Sequence, residues 1–320
     1  NDIIRTIAGV GFNRGKMKDV YAILTGRDFS TKRVSKELRE KQFEVFKNNQ
    51  KIVLDNTNWH GFLKILIGLG FKNKDLISST NNIINSYIIF LIGKIRYSLD
   101  HKELEEIIGK WFFFASITSR YSFSPESQME SDLNQIKECK NKGEFLSVLK
   151  NIINNELTND FWEITLPNRI LVSSSMNNPA RNTYFACLIK NGSKVLFSNR
   201  TVSDLFDPSM KIKKKALEKH HLFPRNYLKE KLNLDKRQIN QIANFTYLEF
   251  EDNIDISDDE PKKYFLEIKG KYFSGKEDIL NKMMLEHCLP ELFYKMDYQE
   301  FLKERRNLMA KLIRQTYERL

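Results

Sequence analysis

The chain has 320 residues, 41% hydrophobic and 29% charged, with a formal net charge of +11. That composition suffices for one or two buried cores and excludes a disordered polyelectrolyte, while the basic excess favours a polyanionic partner. Three widely spaced cysteines, Cys139, Cys187 and Cys288, exclude a disulfide framework and a cysteine-built zinc site; they suit a reducing cytosol and are expected as small core residues.

The chain starts at Asn1 with no basic-then-apolar leader, and is expected to be a piece whose upstream part lies elsewhere. The longest apolar runs, Tyr87–Ile92 and Trp111–Ile117, are too short to span a bilayer. A cytoplasmic protein with no membrane partner is therefore expected. Residues 1–150 are predicted to be mostly helical. Leu38, Phe43, Phe46, Ile52 and Val53 recur at roughly helical spacing within 36–55. A further apolar stretch follows Trp59 and ends at the breakers Gly68 and Gly70. Residues 78–98 and 101–119 predict two strongly apolar helices of a bundle. Arg120 to Pro125 marks a turn, with Ser124 or Ser127 available to cap the next helix.

From Glu144 to Lys190 more helices are expected, broken at Pro167 and Pro179. Residues 194–198 form a short strand candidate. Residues 217–223 and 245–250 predict the strands of a hairpin with a long connection, and helix resumes after Asp252. Asp297 is a helix cap with Glu300 three residues on. In that last helix Phe301, Leu302, Leu308, Met309, Leu312, Ile313 and Tyr317 are expected inward, and Arg305, Lys311 and Arg314 outward. Docking onto the C-terminal domain is favoured over reading DNA.

The charge excess is uneven. Between Lys211 and Asn240 stand ten Lys/Arg against three acidic residues, a surplus of seven. A solvated lysine face is the plain account of such a run. Placement beside His220 and His221 favours phosphate attraction instead, with Lys213, Lys214, Lys215, Lys219 and Lys229 as the candidate nucleic-acid contacts. Adjacent strand residues point to opposite faces, so a bulge or a strand end is needed to aim both imidazoles at one ion. Twenty-three residues after His221 comes Asn244, and nine further on Asn253.

This arrangement resembles the HNH, or ββα-metal, nuclease motif: a strand bearing [Asp/His]-His, a long loop, Asn before a second strand, then a helix with a ligand near its start. The Asn244-to-Asn253 spacing also resembles that of the HNH domain of CRISPR effectors. The resemblance implies His221 as general base, a role suited to an imidazole that titrates near neutrality. It implies His220 and Asn253 as ligands of Mg²⁺, with Mn²⁺ or Ni²⁺ as substitutes for a nitrogen-containing site. Asn244 would orient His221 or its loop. Arg225 either contacts a phosphate or pairs with Asp235 or Glu230, and Asp252 and Asp255 are alternative ligands or surface carboxylates. His in place of the usual Asp, and Asn in place of the usual final His, leave the site poor in negative charge.

Residues 288–310, the Ser119-Arg-Tyr-Ser122 stretch and the region from Asn58-Trp59 to Ser79 are similar to GmrSD-type modification-dependent (type IV) restriction and anti-phage proteins. Those join an N-terminal nucleotide-hydrolysing domain, marked by Asp-Gly-Gln-Gln-Arg, to a C-terminal HNH nuclease. That motif and any Walker-type loop are absent from this sequence, so nucleotide hydrolysis is expected of a partner domain in the same full-length protein. The fold expected is mainly α. A helical-bundle domain over 1–150, a linker or sensor-coupling region, precedes an α-rich nuclease domain over 151–320. The latter would hold a ββα-metal hairpin-helix unit at 215–265 and a docking helix at 297–320. The function expected is a metal-dependent DNA endonuclease or nickase acting on DNA, including modified phage DNA. The competing readings are a DNA-binding sensor whose nuclease site has decayed and a helical protein-interaction scaffold.

Overall fold

A computed structural model describes residues 1–175, 177–207, 217–249 and 260–320, with 217–219 and 249 described by their backbone only. The described chain is mainly helical, with one two-stranded sheet. It divides into two compact units: 1–68 with 79–156 and Leu320, and 69–78 with 157–319. No helix among the described residues is long and apolar enough to cross a membrane.

The first unit contains α1 (Asp2–Phe12), α2 (Met17–Thr25), α3 (Lys36–Val53), α4 (Asn56–Gly68), α5 (Thr80–Leu91), α6 (His101–Ile117), α7 (Pro125–Ile136) and α8 (Lys142–Glu156). Local signals set the helix starts: Ser35 accepts from the Leu38 amide, and Asp100 and Glu103 form a reciprocal capping box. Ser124 occupies the cap position of α7 with no side-chain bond to the helix, so Pro125 at the first turn sets that start. α1 packs on α5 through Gly9, where a Cβ would come within 2.7 Å of Ile88. Trp111, Phe112, Phe113 and Phe114 are all buried. Beside them Arg120 meets Asp132 at 2.6 Å, and Tyr121 donates to the same carboxylate at 2.7 Å.

The second unit opens with Leu69–Ser78 and then a wide helical turn over Phe161–Ile170 that contains Pro167. α9 (Pro179–Lys190) is capped by Asn178, which accepts from the Ala180 and Arg181 amides. Gly70 lies against α9 at φ +96°, where a Cβ would meet the Ala186 carbonyl at 2.0 Å; only glycine fits there. The strand expected at 194–198 is not formed. A single bridge joins Lys194 to Thr201, because Phe197 adopts φ +65° and breaks the extension. After α10 (Val202–Leu205), β1 (Leu217–His221) pairs antiparallel with β2 (Phe245–Glu249). The connection carries α11 (Arg225–Leu232) and α12 (Lys236–Ile239), and α13 (Pro261–Tyr272), α14 (Glu277–Glu286) and α15 (Tyr298–Glu318) follow.

α15 is capped by Asp297 and packs on the Phe161–Ile170 turn and α9. Here the expectation for Arg305 is corrected: it is fully buried on the packed face. Its guanidinium donates to the carbonyls of Ala243 at 2.7 Å, Phe245 at 3.0 Å and His287 at 3.2 Å. A periodicity argument places a charged residue outward; three converging carbonyls make the interior the better solvent for this one.

Candidate active site around the hairpin

Pairing runs without a bulge to the end of β1, with His220 opposite Thr246 and His221 opposite Phe245. The two imidazoles therefore stand on opposite faces. The His220 ring is 9% exposed and edge-on to Tyr264 of α13, with centroids 6.4 Å apart. The His221 ring, half-buried, lies 4.3 Å from the Phe245 ring. His221 is the last residue of β1, the strand-end position.

His221 is held through its Nε2, 2.9 Å from Asn240 Oδ1. A side-chain carbonyl oxygen only accepts, so Nε2 carries the proton and Nδ1 keeps its lone pair. Burial pushes the imidazole below the usual histidine value; the Asn240 bond works against that shift, and the Arg225 charge adds to it. The ring is consequently neutral near pH 7, as a proton acceptor must be.

Asn240 escaped the sequence reasoning. It sits at the C-terminal end of α12, and what puts it there is the reciprocal capping box of Asp235 and Gln238, which starts that short helix. The capping pattern was readable; the Asn240 partner was not. Asn244 is fully buried and fastened to main chain: it accepts from the Phe223 amide at 2.8 Å and donates to the carbonyls of Phe223 at 3.2 Å and Ile239 at 3.1 Å. Its own carbonyl takes the Leu222 amide at 2.8 Å. One side chain thus fastens the exit of β1 to the end of α12, and so sets the distance from His221 to Asn240.

Two tyrosines complete the frame. Tyr264 donates to the Leu222 carbonyl at 2.6 Å, and Tyr298 of α15 to the carbonyls of Gln238 and Ile239 at 2.8 and 3.1 Å. Arg225 begins α11, exposed, and makes no ion pair among the described residues. Of the two readings open for it, pairing with Glu230 or Asp235 is not formed; Asp235 instead caps α12. Lys229 is exposed on α11, and Lys219 occupies the register position opposite Tyr247. Asn253, Asp252, Asp255, Lys213, Lys214 and Lys215 lie outside the described residues.

The structure thus brings His221, Asn240, Asn244 and Arg225 to one end of the hairpin and sets the His220 ring on the other face. No group of three or more His, Cys, Asp or Glu among the described residues is placed to hold a metal ion. The described part of the expected ligand set is one buried imidazole, His220, which does not by itself make a metal centre.

No family model matches the chain, and no solved structure does. The chain is similar to an uncharacterized protein of Methanocaldococcus jannaschii, 23% identical over 295 aligned positions covering 77% of this chain and 48% of that protein. The chain spans about half the length of this curated relative.

Proposed function

We propose that this chain is the cutting part of a metal-dependent HNH-type DNA endonuclease or nickase, working in a type IV-like anti-phage restriction protein. The observation that carries this reading is the His221 imidazole: neutral through burial, fixed through Nε2 by Asn240, with Nδ1 left to accept a proton. In phosphodiester hydrolysis Nδ1 takes a proton from water, the resulting hydroxide adds to phosphorus, and the 3′-oxygen leaves in line. Arg225, exposed beside His221, offers its guanidinium to a phosphate oxygen.

His220 and Asn253 are the residues that would hold Mg²⁺, which when bound supplies positive charge for the leaving oxygen. The reading requires the phosphodiester to lie across the end of β1, where the strand stops between the faces of its two histidines. Lys213, Lys214, Lys215, Lys219 and Lys229 would draw the DNA backbone to that end. The nucleotide-hydrolysing partner domain and the defence role rest on the resemblance to GmrSD-type proteins alone, and the cytoplasmic location on the spaced cysteines and short apolar runs.

Nicking of supercoiled plasmid in Mg²⁺ or Mn²⁺ tests the reading. The expected result is relaxation by the wild-type chain and its loss in His221→Ala with unchanged unfolding. Equal nicking by the two proteins removes His221 from the chemistry. Salt-sensitive DNA binding without nicking by either favours the sensor reading.

A further inference from the structure

A cavity of about 440 Å³ lies within the second unit, between the Asn73–Ser78 segment, the start of α9, α10 and β2. Its walls include Arg181, Asn182, Asn177, Ser78, Phe206 and Tyr247. The Phe206 and Tyr247 rings meet at 85° with centroids 5.4 Å apart, giving two aromatic surfaces. Arg181 is 5% exposed and donates to the Tyr247 hydroxyl at 2.6 Å and to Asn182 Oδ1 at 3.0 Å. Its guanidinium lies 5.0 Å from the centroid of Phe185, which also packs edge-on to Tyr247. Asn182 in turn donates to Ser78 at 3.0 Å.

Three features narrow the ligand. The volume is that of a small-molecule site. A mixture of aromatic surfaces with amide and hydroxyl groups suits a flat ring with donors and acceptors on its edge. Directly paired residues of an antiparallel sheet share a face, so His221, Phe245 and Tyr247 stand on the same side of the hairpin. Tyr247 is two residues along β2 from Phe245, about 7 Å, which is within the reach of one nucleotide.

We infer that this cavity binds a nucleobase lifted out of the DNA strand, one nucleotide from the phosphodiester presented to His221. The inference rests on the nuclease reading for its substrate, and it turns the cavity into the part of the site that chooses which nucleotide is cut. Extruding a base costs stacking and pairing energy, least for a damaged, mismatched or single-stranded position. The cavity therefore discriminates between bases by what its amides can pair with.

The test is binding and photo-crosslinking of single-stranded oligonucleotides containing 5-iodouracil to the wild-type chain in EDTA, where no cleavage is needed. The expected crosslinked peptide carries Tyr247 or Phe206. Tyr247→Leu removes an aromatic wall and should weaken binding about tenfold, the scale of one lost base–aromatic stack. Asn177→Trp, at an exposed position on the rim, fills the cavity without touching the core and should abolish the crosslink while unfolding stays unchanged. Crosslinks confined to other peptides, or wild-type binding by both variants, overturn the inference. Protection of Tyr247 by free deoxynucleoside monophosphate at oligonucleotide-like concentration overturns the strand as the source. A chain that crosslinks at Tyr247 yet nicks no plasmid keeps the pocket and loses the nuclease; nicking without that crosslink does the reverse.

Discussion

In the first unit Arg120 meets Asp132, and Tyr121 donates to the same carboxylate: these three buried polar groups satisfy one another, side chain to side chain. Around the hairpin of the second unit, Arg305, Tyr264, Tyr298 and Asn244 all bond main-chain atoms instead. The difference follows from what each region must hold. A helix interior satisfies its own backbone, so the Arg120 cluster closes on side chains, while Tyr87 and Tyr97 donate to carbonyls at the ends of α3 and α7. A two-stranded hairpin buries too little to stand alone. The loops at the end of this one expose carbonyls that only neighbouring side chains can satisfy. The position of His221 is thereby set by clamps on main chain as well as by its own bond to Asn240.

The largest expected effects separate these two uses. Arg120→Met leaves the Asp132 carboxylate buried without its cation and should cost about 3–5 kcal/mol in urea unfolding. Replacing the group together, Arg120→Met with Tyr121→Phe and Asp132→Leu, should recover most of that loss. Arg305→Met should cost about 3 kcal/mol or more, from the Ala243 and Phe245 carbonyls left unsatisfied at about 1–3 kcal/mol each, since His287 keeps the Tyr184 hydroxyl. Because its partners are main chain, no second substitution at a partner position should rescue it. Recovery of Arg305→Met by such a change would break the comparison.

Asn244→Ala should cost about 2–3 kcal/mol and depress nicking at least as far as stability, since His221 and Asn240 lose their common tether. Full nicking by a folded Asn244→Ala chain would show that the clamp serves the fold alone.

Acid sharpens the comparison a further step. His287 is buried behind Arg305, its Nε2 2.7 Å from the Lys194 carbonyl, and burial pushes it down to about 4. Its folded value lies below its unfolded one near 6.5, so the unfolded chain binds the proton first. Stability is then complete above pH 6.5 and lost as pH falls toward 4, by roughly 3 kcal/mol at one pKa unit per 1.36 kcal/mol. A urea midpoint measured across that window checks it, and His287→Gln should flatten the slope.

The smallest effect concerns the site itself. The His221 imidazole sits below its usual value, so the acid limb of nicking should fall below pH 6.5. Arg225→Ala should move that limb upward, through the lost charge. A downward shift would contradict the electrostatic role given to Arg225.

Legibility in the sequence tracked periodicity and capping. α3, α6 and α15 were readable from their apolar residues, and α15 also from Asp297 at its start; the caps Ser35 and Asp100 came with the structure. The hairpin was readable from alternation, although β1 stops two residues short of the expected end, ahead of Pro224. The main-chain clamps were not readable. Nothing in the pattern of α15 distinguishes Arg305, fully buried, from Lys311, which is exposed, because the carbonyls that receive Arg305 belong to residues 243, 245 and 287. The same holds for Asn240, whose partner lies 19 residues back along the chain. The wide turn at Phe161–Ile170 likewise differs from the expected break at Pro167, since extra residues per turn accommodate the ring without ending the helical path.

Chemical rescue tests the central claim most directly. His221→Gly should lose plasmid nicking by a factor of about 100 or more, and added imidazole near neutral pH should restore part of it by entering the space beside Asn240. Nicking by His221→Gly at the wild-type rate, without imidazole, would contradict the account.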